Sequence, residues 1–141
     1  MQLVDSTVQH DLSGQDTTTE KYLYNSSKQL VTLKEYTYTK RSGSTLINTT
    51  GYVTNNAGNV VQENHSSATI KYEFYPDLLN NVSIGTAYFY QNKNLVKTAT
   101  TVFPNGSNEV TTHTYTFDSN NRITSEKQVS TVGTIIQSYT Y

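Results

Sequence analysis

The feature that most constrains this chain is a short pattern that returns along it: aromatic, any residue, aromatic, a few turn-forming residues, then an aliphatic. It reads Tyr22-Leu23-Tyr24-Asn25 running on to Leu30. It returns as Tyr88-Phe89-Tyr90-Gln91 running on to Leu95, and as Tyr115-Thr116-Phe117-Asp118 running on to Ile123. Tyr139-Thr140-Tyr141 begins the pattern again. Alternating aromatics suit a strand, and Asn, Asp, Ser and Gly suit the reversal that follows it. Each copy therefore predicts one β-hairpin, and a series of copies predicts an architecture of hairpins.

Composition supports the same reading. Hydrophobic residues make up only 34% of the 141, but 12 tyrosines supply apolar area. A tyrosine ring can cover a sheet face while its hydroxyl meets water or a polar partner. The chain also holds 24 Thr, 14 Ser and 14 Asn, residues of strands and turns, and no long stretch has apolar residues at helical spacing. Copies start at Tyr22, Tyr52, Tyr72, Tyr88, Tyr115 and Tyr139, unevenly spaced, which predicts hairpins with variable loops and not a strict solenoid. Short connections require antiparallel neighbours, because parallel strands need long crossovers. The expected fold is all-β: an antiparallel meander of about five hairpins in a curved or partly closed sheet.

Residues 1–20 are polar and are expected to be an N-terminal arm or linker with one edge strand. Residues 21–141 are expected to form a single hairpin-repeat domain. Within the first hairpin, strict alternation puts Tyr22 with Tyr24 on one face, and Leu30 with Tyr36 and Tyr38 on one face. Pro76 lacks an amide hydrogen, so strand pairing is expected to stop there.

The unit Tyr115-Thr116-Phe117-Asp118-Ser119-Asn120-Asn121-Arg122-Ile123 resembles a YD repeat of the RHS type. Those repeats carry Gly where this chain has Asn121, a substitution that left-handed backbone geometry tolerates. Tyr22–Leu30 and Tyr88–Leu95 match more loosely. The layout over residues 21–141 also resembles exported lipoprotein domains of Bacteroides-like bacteria. The resemblance implies an exported, all-β, non-enzymatic protein, with carbohydrate or cell-surface binding as its activity and no catalytic residue to carry over. A composition rich in Asn, Thr, Ser and Tyr and poor in charge leans the same way, towards a periplasmic, outer-membrane-anchored or extracellular protein. Met1–Asp5 lacks the basic and apolar regions of a signal peptide, and whether a signal peptide or lipid-bearing cysteine precedes residue 1 is left open.

The chemistry-bearing residues exclude several classes. A net charge of -1 with scattered Lys and Arg disfavours nucleic acid as a partner. No apolar run is long enough for a membrane-spanning helix. Without Cys there are no disulfides or thiolate metal sites. His10, His65 and His113 lack ligand spacing, and His113 alternates onto the face of Tyr115 and Phe117, where it reads as a packed histidine. Glu63, Glu73, Asp77 and Glu126 read as solvated surface rather than a glycosidase pair. No G-x-S-x-G elbow or phosphate-binding glycine loop occurs. No catalytic residue, metal or cofactor is therefore assigned.

The aromatic ladder Tyr22, Tyr24, Tyr88, Tyr90, Tyr115 and Phe117 is the candidate ligand-binding surface. Exposed, such rings stack on sugars; buried, they form the core, which is the favoured expectation in a chain with so few Leu and Ile. The favoured expectation is a non-catalytic exported module that binds a glycan or a cell-surface protein. The alternatives are a structural spacer within a larger surface assembly, and a half-barrel carrier of a hydrophobic ligand.

Overall fold

The computed structural model describes residues 3–10, 16–39, 41–80 and 92–140. Its strands are β1 (Leu3–His10), β2 (Asp16–Tyr24), β3 (Leu30–Thr39), β4 (Gly43–Thr54) and β5 (Val60–Asn64). They continue as β6 (Thr69–Leu79), β7 (Asn94–Val102), β8 (Asn108–Phe117), β9 (Ile123–Ser130) and β10 (Gly133–Ser138). All ten lie in one sheet in sequence order, each antiparallel to the next. The described residues contain no helix. β1 and β10 do not pair with each other among the described residues, so this is an open meander and not a barrel. The sheet begins at Leu3, ahead of Lys21: β1 is an edge strand, and the β-branched run Thr17-Thr18-Thr19 extends β2 to meet it.

The reversals share one chemistry. After β2, the Asn25 amide donates to the Gln29 carbonyl at 2.9 Å, and the Lys28 amide donates to the Asn25 carbonyl at 3.0 Å. The Asn25 side-chain oxygen accepts from the amides of Ser27 and Gln29. Asn55 repeats this with the amides of Ala57 and Asn59, and Asp118 repeats it with those of Asn120 and Arg122. The fourth residue of each loop has left-handed backbone: Lys28 at φ 60°, Gly58 at φ 91° and Asn121 at φ 58°. A short Asx side chain satisfies loop amides that would otherwise lack partners, which is why Asn and Asp start these turns.

Each such turn ends in a bulge, with register shifts at Leu23/Tyr24, Val53/Thr54 and Thr116/Phe117. The extra residue rotates the next aliphatic onto the tyrosine face. Leu30, Val60, Ile123 and the corresponding Leu95 are all buried. Tyr22, Leu30 and Leu33 form a core cluster against which Tyr24 and Tyr52 pack.

That bulge corrects one expectation. Tyr22 pairs with Leu33, but Tyr24 pairs with Leu30, so Leu30 shares a face with Leu33 and both tyrosines. Tyr36 and Tyr38 point to the opposite face, where the Lys21 ammonium lies 5.1 Å from the Tyr36 ring centre. Strict alternation fails wherever one residue is inserted.

At Pro76 the β6–β7 ladder is interrupted, passing from Phe74↔Val96 to Leu79↔Asn94. Pairing lapses around the proline but resumes at Leu79, so β6 runs through Pro76 and does not end there, against the expectation from its missing amide hydrogen. A reciprocal pair of asparagines secures this irregular region. The Asn59 side-chain amide donates to Asn94 Oδ1 at 3.0 Å, and the Asn94 backbone amide donates to Asn59 Oδ1 at 2.9 Å. Asn94 Nδ2 then donates to the Pro76 carbonyl at 3.0 Å. Both side chains are buried, so their hydrogen bonds tie the β4–β5 turn to the β6–β7 end of the sheet.

Candidate functional site

The tyrosine face is built from repeated hairpin geometry. Because the turns after Tyr52 and Tyr115 have the same length and the same bulge, register sets Tyr52 opposite Glu63 and Tyr115 opposite Glu126. The first hairpin sets Tyr22 opposite Leu33 in the equivalent place. Rings and carboxylates thus alternate across neighbouring strands.

The tyrosine hydroxyls are bound to those carboxylates. Tyr72 donates to Glu63 Oε1 at 3.0 Å, and His65 Nε2 lies 3.0 Å from Glu63 Oε2. Thr50, itself buried, places Oγ1 3.2 Å from His65 Nδ1. In the second group, His113 Nδ1 is 2.7 Å from Glu126 Oε1, and Tyr139 donates to Glu126 Oε2 at 3.3 Å. Tyr115 donates to the Val96 carbonyl at 3.0 Å, and the ring of Tyr75 meets it edge-on with centroids 6.3 Å apart. Tyr22 donates to Glu20.

Desolvation by burial, helped by nearby carboxylates, makes these phenols weaker acids. Tyr52 is pushed up from 10.0 to about 12, with Glu63 as the leading charged neighbour. Tyr22, Tyr72 and Tyr115 are raised further by burial, reinforced by Glu20, Glu63 and Glu126 respectively. Glu126 moves the other way: the hydrogen bond from His113 holds its carboxyl below the ordinary range, against partial desolvation. Glu63 and Glu126 are therefore not solvated surface carboxylates. Their side chains are only 12% and 13% exposed. The signal that identifies them is their common distance along the chain from Tyr52 and Tyr115, fixed by equal turns.

A second feature lies at the turn end of the sheet. Asp77, Leu78 and Leu79 from β6 face Phe117 and Asn121 from the end of β8 and its turn, across an open cleft of about 340 Å³. The Phe117 ring is 38% exposed and Leu79 is 55% exposed. The Asp77 carboxylate and the Asn121 side-chain amide make no hydrogen bond among the described residues, while the neighbouring Asp118 is held by Arg122 at 2.7 Å. The cleft thus combines one apolar ring with a free acceptor and a free amide. Its volume is in the range of small-molecule sites.

The structure divides the sequence-predicted ladder. Tyr22 is 2% exposed and belongs to the core cluster. Tyr24 is half-buried against that cluster, and Tyr115 is half-buried with its hydroxyl occupied. Phe117 alone of these four is exposed, and it lines the cleft. Tyr88 and Tyr90 lie outside the described residues. Asp77 and Asn121 were not picked out as ligand groups by the sequence, since an isolated Asp and a turn Asn carry no distinguishing pattern. Among the described residues, no three His, Asp or Glu side chains group as a metal site.

No protein-family model matches this sequence, and no curated protein matches it. Among solved structures, the chain is similar in fold to a porin-like protein from Bacteroides uniformis, with a TM-score of 0.51 and 15% sequence identity. The alignment covers 98% of this chain and 56% of that one, so this chain spans little more than half the length of its structural neighbour. Among the described residues, no helix is long and apolar enough to cross a membrane.

Proposed function

We propose that this protein is a non-catalytic, exported binding module that recognises a glycan at the Phe117 cleft. The observation that carries the reading is the cleft's chemistry. An exposed aromatic ring offers an apolar plate for the C–H face of a sugar. Asp77 and Asn121 beside it are free to accept from and donate to ring hydroxyls. The tyrosine–glutamate face supports the site from behind, since Tyr115, two residues before Phe117, is fixed by its own hydrogen bond. The described lining holds a single carboxylate, whereas glycosidic hydrolysis ordinarily uses two. The setting we propose for the module is the periplasm, the outer membrane or the cell exterior, as the resemblance of Tyr115–Ile123 to a YD repeat implies. The fold likeness to a porin-like Bacteroides protein fits that setting.

A glycan array probed with the purified protein tests the reading. Binding to at least one glycan class, abolished by Phe117→Ala, is the expected result. An array with no binding at all overturns it.

A further inference from the structure

Between the partners Phe74↔Val96 and Leu79↔Asn94, residues 75–78 of β6 stand against the single residue Leu95 of β7. A bulge bends its strand and re-aims the side chains it carries. Both flanks of this one are fastened. β7 lies between β6 and β8 in the sheet, yet the Tyr75 hydroxyl donates to the His113 carbonyl of β8 at 3.0 Å. Asn94, itself buried, donates from Nδ2 to the Pro76 carbonyl at 3.0 Å. Asp77 follows these anchors and lines the cleft beside Phe117, with its side chain exposed. The Asx residues of the turns, Asn25, Asn55 and Asp118, commit a side-chain oxygen to loop amides. Asp77 commits its carboxylate to nothing among the described residues. It is also the one ionisable side chain among the described lining residues. Arg122, the cation of the adjoining turn, is engaged by Asp118 at 2.7 Å.

We propose that the cleft selects sugars bearing a free amine, with the ammonium paired to the Asp77 carboxylate beside the Phe117 ring. This rests on the glycan reading and names the class of glycan. The face of an aromatic ring attracts cations through its quadrupole, and a carboxylate alongside supplies the counter-charge. A neutral hydroxyl would give Asp77 one hydrogen bond to a neutral donor, whereas an ammonium gives it one in which both groups are charged. An N-acetyl group at the same carbon brings no charge and a single N–H. An acidic sugar would set its own carboxylate against Asp77, with no cation among the described lining residues to receive it. Asn121 offers a neutral donor and acceptor, which suits a ring hydroxyl of the same sugar.

Two-dimensional NMR titration of the full chain with monosaccharides tests it. The series is glucosamine, galactosamine and mannosamine as ammonium salts, each beside its N-acetyl derivative and its parent hexose, at low salt and mildly acidic pH. At least one free amine should shift the resonances of Phe117 and Asn121 and bind about tenfold more tightly than its N-acetyl and parent forms. Raised salt should narrow that difference. Asp77→Asn should abolish it while leaving the neutral sugars unchanged. The exposure of Asp77 and its lack of partners among the described residues favour folding of that variant, which circular dichroism and its melting temperature verify. Equal affinity across the series, or a preference for the amine that Asp77→Asn retains, overturns the inference and leaves the glycan reading standing. Failure of every free amine to bind overturns it too, and the glycan reading then falls only if the glycan array is also blank.

Discussion

At Lys28 and Asn121 the chain adopts left-handed backbone that side chains with a Cβ disfavour, at φ 60° and φ 58°, in the position that Gly58 fills at φ 91°. Lys28→Gly should therefore stabilise the protein by up to about 1 kcal/mol, less whatever flexibility glycine adds to the unfolded chain. Urea unfolding reads this as a rise in midpoint with an unchanged slope. Asn55→Ala removes the acceptor for the amides of Ala57 and Asn59 and should cost about 1 kcal/mol by the same measurement. Titration of single side chains supplies a further check. Glu126 has a folded pKa below the ordinary 4.5, so its interactions stabilise the fold fully above pH 4.5 and are lost as pH falls through the folded value. The melting temperature should fall on acidification, and fall less steeply in Glu126→Gln. Tyr52 has the opposite sign. Its pKa is raised from 10.0 to about 12, so its contribution is complete below pH 10 and is lost as pH rises through the folded value. Absorbance titration of the phenols should show a set of tyrosines ionising well after the exposed ones.

Among elements, the hairpin is the repeating unit, and the parts of it that were legible in the sequence are those fixed by local chemistry. Alternating aromatics marked β2 and β8, and Asn and Asp marked the turns, since both signals act over two to five residues. The bulge was not legible. It depends on how the loop closes, and it turned Leu30 away from Tyr36 and Tyr38 and onto the face of Tyr22. The environment of Glu63 and Glu126 was hidden for the same reason, because it arises only when register sets them against Tyr52 and Tyr115. Phe117 in the candidate cleft came from the aromatic pattern, but Asp77 and Asn121 meet it only because β6 and the β8–β9 turn converge in space. The Asn59–Asn94 pair joins residues far apart in sequence and leaves no periodic trace. Asn94→Leu should strand the buried polar groups of Asn59 and the Pro76 carbonyl, and should cost about 1–3 kcal/mol for each group left unsatisfied. Chemical denaturation of that variant against the wild type checks the value.

Over the whole molecule, ten strands give one open sheet with two unlike faces, in which β1 and β10 are the edge strands among the described residues. The tyrosine face does its work internally: hydroxyls bind carboxylates, rings cover aliphatics, and the result is a frame in a chain with little Leu and Ile. The ligand recognition we propose falls to the end of the sheet, where Phe117 emerges beside Asp77 and Asn121. On the proposed reading, the repeat serves construction at Tyr22, Tyr52 and Tyr72 and recognition at Phe117. The most direct test measures glycan binding and melting temperature together for Phe117→Ala and Tyr22→Ala. The account predicts that Phe117→Ala abolishes binding with little change in melting temperature. It predicts that Tyr22→Ala, which empties a core position, costs about 3–5 kcal/mol of stability while the protein that remains folded still binds. Glycan binding that survives Phe117→Ala at wild-type strength would contradict it.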